Sequence, residues 1–178
     1  MRDFPYFENY VELTRLEFSV VQSFAAEPVQ RALFLGSGPL ALTNIVLAKY
    51  HNVLARGIDH DAPAVALSNR LSERLGIAGQ VSAKHRRAES LEAKQIRAAD
   101  VVYLAAMVGE DRPEKAEVLK HLHTSMQPGQ LLVVRSAHRL RRLLYPAIDV
   151  DDIGGFEPLA EIHPHNDIVN SFLVLRRS

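Results

Sequence analysis

The sequence predicts an α/β protein with a mainly parallel sheet, helices on both faces and an antiparallel hairpin at its carboxyl end. Three observations predict it. Short apolar runs alternate with helix-like stretches, as strands and helices do when wound into a parallel sheet. The alternation stops after the fifth apolar run. Two extended runs with no helix between them then close the chain.

The strands are expected at Ala32–Leu35, Leu54–Ile58, Val81–Lys84, Val101–Ala105 and Leu131–Arg135. Leu40–Tyr50, Ala62–Leu75 and Glu114–Met126 place apolar residues three and four apart, which predicts helices. The second of these ends at Gly76 and the third before Pro128-Gly129, both residues that stop helices. Phe156–His163 and Ile168–Arg176, separated by the turn-like Pro164–Asp167, form the hairpin. Five parallel strands followed by an antiparallel pair is, by analogy of topology, the S-adenosylmethionine-dependent methyltransferase-like, Rossmann-like fold. Ahead of the first strand, Tyr6–Ser23 reads as an amphipathic helix with Tyr10, Leu13, Leu16, Val20 and Val21 on one side. The expected division is therefore a helical segment, residues 1–30, covering the cleft, and a cofactor-binding domain, residues 31–178, in a single-domain chain.

Composition narrows the partners. The 178 residues carry 21 Lys+Arg and 21 Asp+Glu, so no global field draws the chain to nucleic acid or anionic lipid. A small molecule is the better partner. With no cysteine, disulfides, thiol nucleophiles, Fe–S clusters and thiolate zinc sites are excluded, and a reducing, cytoplasmic setting fits. No apolar run is long enough to span a bilayer, and the opening MRDFPYFENY has no signal-peptide core.

Chemistry concentrates in Phe34-Leu35-Gly36-Ser37-Gly38-Pro39-Leu40, a strand running through glycines into a helix. Glycines let the backbone approach a ligand closely, and N–H groups at the helix start can meet a carboxylate. The bland alternative is a tight strand-to-helix turn. About twenty residues on, Gly57-Ile58-Asp59-His60-Asp61 places an acid at the end of the second strand, where a carboxylate can accept both ribose hydroxyls. Asp61 reads as a helix cap. A dinucleotide would call for a third glycine; its absence, with Pro39 after the second, favours S-adenosylmethionine.

FPYFENYVELTRLEF, FLGSGPLALTNIVLAKYH, DVVYLAAMVG, MQPGQLLVVRSAHRLRRLLYP and HPHNDIVNSFLVLRR resemble, in order from Phe4 into the last strand, the successive blocks of nicotianamine synthases. The resemblance implies transfer of the 3-amino-3-carboxypropyl arm of S-adenosylmethionine to an amino-acid amine, with release of methylthioadenosine. It implies that Glu17 orients the acceptor and takes its proton, with Glu12 a weaker candidate; helical periodicity alone would leave Glu17 on the solvated side. It further implies that Gly36, Ser37 and Gly38 line the methionine arm, that Asp59 meets the ribose, and that Ala105 and Ala106 floor the cleft. Arg135, Ser136 and His138 follow the fifth strand at the same edge, where an arginine fork can hold a carboxylate of acceptor or cofactor. Tyr6, Tyr10 and Tyr145 line the cleft or pack.

The stretch His85-Arg86-Arg87-Ala88-Glu89 departs from the acidic residue that usually ends the third strand in this family, so adenine contact passes to the Ala88 backbone or to Glu89. The chain also begins almost at the first family block. The helical region that precedes it in relatives is expected to be absent, leaving the cleft open and favouring a homodimer. That leaves a second hypothesis, a binding module completed by a partner, and a third, a methyltransferase. The pairs His121/His123 and His163/His165 lack a third ligand, and no metal is expected. Metal would enter through the product, since nicotianamine and its relatives chelate metals.

Overall fold

The computed structural model describes residues 7–109, 111–136, 154–164 and 171–178. Helix α1 (Phe7–Phe24) precedes strand β1 (Arg31–Leu35), α2 (Leu42–His51), β2 (Leu54–Asp59), α3 (Ala62–Arg74) and β3 (Val81–His85). A single 3₁₀ turn, Ala88–Ser90, and the short α4 (Ala93–Arg97) lead to β4 (Val101–Leu104), α5 (Arg112–Ser125) and β5 (Leu131–Ser136). Strands β6 (Phe156–Ile162) and β7 (Ser171–Arg177) complete one seven-stranded sheet in the order β3-β2-β1-β4-β5-β7-β6. The first five strands are parallel, and β7 runs antiparallel to both neighbours.

The predicted strands lie within two residues of the observed ones, apart from β7, whose predicted first three residues lie outside the described ones. One feature differs from expectation: the helix after the glycine turn starts at Leu42 rather than Leu40. Within the closing antiparallel pair, β7 inserts between β5 and β6. Residues 88–97, not assigned to an element by periodicity, hold the 3₁₀ turn and α4.

Alternation along the strands sorts the core into two layers. Leu33, Leu35, Val102, Leu104, Leu132 and Val134 face α4 and α5 and pack with Ile96, Val118 and Leu122. Ala32, Phe34, Val101, Tyr103, Leu131 and Val133 face the other way, toward Leu13 and Val21 of α1 and Leu47 of α2. The same period carries Arg135 onto the α1 face, two residues beyond Val133. At the opposite edge Asp100 clasps β1 to β4: Oδ2 accepts from the Gln30 and Arg31 N–H groups, and Oδ1 accepts from Arg31 Nη2 at 2.7 Å.

Helix α1 buries Leu13 and Val21 of the predicted stripe and adds Val11, Thr14 and Glu17 to it. Leu16 and Val20 are half-buried, whereas Thr14 and Glu17 are fully buried. Glu17 faces inward because the buried Arg135 pairs with it, a partner that local periodicity cannot see.

Candidate active site

The glycine turn is shaped by two close approaches and two left-handed backbones. Gly36 has a φ of 78°, and an added Cβ there would run into Val108 Cγ2. Gly38 has a φ of 67° with open space where its Cβ would stand. Gly57 on β2 leaves room for the Ser37 side chain, whose Oγ would lie 2.5 Å from a Cβ at that position. Only glycine satisfies the first two backbones without strain.

The donors of this turn are already engaged. Gly36 N–H and Ser37 N–H both donate to Ile58 O, and Gly38 N–H donates to Asp59 Oδ2 at 2.7 Å. The strand-end carbonyl and Asp59 thus hold the N–H groups of the turn itself. Donors open to a ligand lie further on. Helix α2 opens with Ile45 N–H donating to Ala41 O; Ala41 is in the left-handed region and gives no side-chain cap, so the N–H groups of the first turn, beside the cavity-lining Leu42–Asn44, are left without an intrahelical acceptor.

Asp59 is nearly buried, and its Oδ1 accepts from Asp61 N–H at 3.0 Å. Asp61 sits at the α3 N-cap position without making the expected side-chain bond. A carboxylate has about four acceptor positions, so two backbone bonds leave Asp59 capacity for a hydroxyl.

A cavity of about 300 Å³ opens at the carboxyl ends of the strands, lined by Tyr10, Phe34, Gly36–Gly38, Leu40, Thr43, Ala105, Ala106, Met107 and Arg135, among others. A second, of about 160 Å³, is lined by Ile58, His60, Arg86, Arg87, Ala88, Glu89 and Glu114. Asp59 links them, since its carboxylate holds Gly38 of the first while its chain neighbours line the second. The floor of the larger cavity is fastened from below. Lys115 Nζ donates to Ala106 O, at 2.6 Å, and Gly109 packs against the Lys115 backbone. Burial lowers the Lys115 pKa to about 8.

At the far end of the larger cavity Arg135 meets Glu17. Nε donates to Oε1 and Nη2 to Oε2, both at 2.8 Å, and Nη2 also donates to Thr43 Oγ1 at 2.8 Å. The side chains are 5% and 0% exposed. Arg135 Cζ lies 5.0 Å from the centroid of Phe34, which stacks on Tyr103. Burial works against the guanidinium's charge, but Glu17's charge and hydrogen bonds outweigh it and raise the Arg135 pKa. Glu17 does not line the cavity; Arg135 and Thr43 stand in front of it.

Of the residues singled out in the sequence, the structure gathers Tyr10, Gly36, Ser37, Gly38, Ala105, Ala106 and Arg135 around one cavity, with Ala88 in the second. Glu12 is exposed and apart from both. Ser136 ends β5, while Tyr6, His138, Tyr145 and His165 lie outside the described residues. His121 Nε2 lies 3.0 Å from Leu91 O, and His163 pairs with Glu161. Among the described residues no three His, Cys, Asp or Glu side chains converge to hold a metal, and no helix is long and apolar enough to cross a membrane. Thr43, Tyr103 and Lys115 were not legible as site residues. Strand alternation signals Tyr103, which shares the Arg135 face; nothing local signals Lys115.

The family described as "Nicotianamine synthase protein" matches residues 1–178. The chain belongs to the nicotianamine synthase family. It is 40% identical to nicotianamine synthase 2 of Arabidopsis thaliana over 177 residues, covering 98% of this chain and 55% of the relative. Nicotianamine synthase 3 of Oryza sativa subsp. japonica is 42% identical over 182 residues, covering 98% and 52%. The chain thus spans about half the length of the curated relatives it matches. Among solved structures, a glutamate-to-glutamine mutant of MtNAS in complex with S-adenosylmethionine superposes with a TM-score of 0.83 at 24% identity, covering 99% of this chain and 64% of that one. The magnesium protoporphyrin IX methyltransferase of Synechocystis gives a TM-score of 0.70 at 15% identity, covering 96% and 80%. The fold is that of S-adenosylmethionine-dependent methyltransferases.

Proposed function

We propose that this chain forms the S-adenosylmethionine site of a nicotianamine synthase-type transferase, which moves the 3-amino-3-carboxypropyl group to an amino-acid amine and releases methylthioadenosine. The observation that carries the reading is the buried Glu17–Arg135 pair at the end of a cavity that begins at the glycine turn. A methyl donor site needs the turn and Asp59; it does not need a charged pair of both signs beyond the methionine arm. A structure described as MtNAS in complex with MTA and tNA supports the same reading for a fold relative.

The sulfonium supplies the leaving group, so the residues have only to bind, orient and move a proton. Asp59 holds the ribose, the Ala88 backbone or Glu89 the base, and the first turn of α2 with Arg135 the carboxylates. Ala105 and Ala106 leave room beneath the arm. Glu17 holds the acceptor ammonium and receives its proton as the amine attacks. A product of this type, rich in amines and carboxylates, is a metallophore, and a chain without cysteine suits a reducing cytoplasm.

Incubating the protein with S-adenosylmethionine and amino acids, and assaying methylthioadenosine against adenosylhomocysteine, tests the reading. Methylthioadenosine with a mass gain of one aminobutyrate unit is expected; adenosylhomocysteine alone would establish methyl transfer instead. Glu17→Gln should lower the rate by about 100- to 10,000-fold while cofactor affinity is kept. Leu40 and Met107, 40% and 74% exposed at the cavity rim, favour a second reading in which a partner or a second copy covers the cleft before turnover.

A further inference from the structure

A buried lysine stands beneath the larger cavity, where stability gives no reason for one. Lys115 is 2% exposed and lies in the first turn of α5, the end of a helix that disfavours a cation. Among the described residues no carboxylate pairs with it, and its ammonium meets Ala106 O. The contact is built into the local backbone. Asp111 caps α5 by accepting from Glu114 N–H, and Gly109, at a φ of 79°, lets its segment lie against the Lys115 backbone, which a Cβ there would approach to 2.7 Å.

What the ammonium holds is the middle of a turn. Val108 N–H donates to Ala105 O at 3.2 Å, which makes Ala106–Met107 the central peptide of a β-turn, the peptide whose half-rotation interconverts the two common turn types. Rotated, it would force Met107 to a positive φ, where among the described residues only glycines, Ala41 and Asn52 stand. Lys115 pins the carbonyl of this peptide inward, and a trans peptide points its N–H opposite its C=O. Met107 N–H therefore points away from Lys115, on the side where Ala105, Ala106 and Met107 line the larger cavity. Among the described residues nothing accepts from it. The described lining of that cavity includes Arg135 and no acid, so a further donor in its wall favours an anionic oxygen.

We propose that Lys115 is a positioning residue: it fixes the Ala106–Met107 peptide with its N–H toward the cavity, where Met107 N–H donates to a carboxylate oxygen of the bound molecule. The inference rests on the transfer reading and deepens it by adding a backbone contact to that site. Lys115 touches no ligand and acts through the peptide. A cation on the carbonyl also polarises the amide and strengthens its N–H as a donor. In the proposed reaction two carboxylates enter the cleft, one on the arm of S-adenosylmethionine and one on the acceptor, and the same donor suits either.

The test follows the Met107 amide by nuclear magnetic resonance in protein isotopically labelled at the methionine nitrogens, with Met126→Leu assigning the signals. Met126, 1% exposed, is the reference in the wild type. Adenosylhomocysteine, which carries the carboxylate of the arm, should move the Met107 amide proton downfield and slow its exchange with solvent about tenfold or more, as a hydrogen bond to a charged group does. Methylthioadenosine, which lacks that carboxylate, should leave both unchanged. A response only when 2-aminobutyrate joins methylthioadenosine assigns the contact to the acceptor's carboxylate. Lys115→Met, saturated with the ligand that gave the response, should lose the protection while its Tm at pH 7 holds or rises, which separates aiming from packing. Both nucleosides bound in calorimetry with Met107 unmoved throughout overturns the inference, as does an equal response to methylthioadenosine alone, or Lys115→Met with wild-type protection. If neither nucleoside binds, the transfer reading fails by itself. The free protein then decides with acetate as the probe: slowed Met107 exchange upholds the inference, and unchanged exchange overturns it.

Discussion

Replacing Lys115 by methionine should make the protein more stable and its cleft worse. The Lys115 side chain is buried, with its ammonium on Ala106 O and its pKa lowered by burial from 10.5 to about 8. At about 1.4 kcal/mol for each factor of ten, the charged form costs the folded state about 3 kcal/mol at neutral pH. The folded pKa lies below the unfolded one, so the unfolded chain binds the extra proton between them. Stability from this group therefore rises with pH between about 8 and 10.5, and the penalty is fully present below 8. Methionine fills the space of the stem without a charge, and Ala106 O loses a donor worth about 1–2 kcal/mol. The net gain at pH 7 is about 1–2 kcal/mol, or roughly 2–8 °C for a chain of this size. At pH 10.5 the gain vanishes or reverses. Released from Lys115, the Ala105–Gly109 segment holds the floor less firmly, and affinity for methylthioadenosine should fall about threefold to tenfold. Thermal unfolding at pH 7 and 10.5, with calorimetry at pH 7, checks both. A variant less stable at pH 7, or one gaining equally at both pH values, refutes the account of a desolvated ammonium.

The glycine turn and its acid give two more outcomes. Gly36→Ala sets a side chain at φ 78° against Val108 and should cost about 1–3 kcal/mol in a urea titration, with loss of cofactor binding. Asp59→Ala frees the Gly38 and Asp61 N–H groups and should weaken methylthioadenosine binding by about 1–3 kcal/mol in calorimetry; equal affinity would remove Asp59 from the site.

The parallel strands were legible because each is an apolar run ended by turn residues, and that signal is local. The place of β7 was not. Periodicity says that Phe172–Leu175 is extended and buried, but not which neighbours it joins. Within the site, Gly36–Gly38 and Asp59 could be read from spacing because strand, turn and helix force the geometry over about twenty residues. Glu17 was different. Its burial depends on Arg135, 118 positions away, and without that cation a carboxylate on a helix belongs in water. Lys115 reads as an ordinary surface lysine for the same reason, and Tyr103 as one more apolar residue of a buried strand. Composition and local pattern register what a side chain is, while the unusual states of these three come from what the sheet brings beside them.

The insertion of β7 between β5 and β6 also governs how the sheet can be assembled. Its ladder with β5 joins residues roughly forty positions apart, from Leu131 with Arg176 to Ser136 with Ser171. Closing a loop of that length precedes any contact it rewards, which slows folding. Until β7 arrives, Leu131–Val134 stand as an unpaired apolar edge, ready to take a strand from another chain. A substitution that loosens β7 will therefore announce itself first as lost material during refolding, with the molecules that do fold keeping their cleft intact.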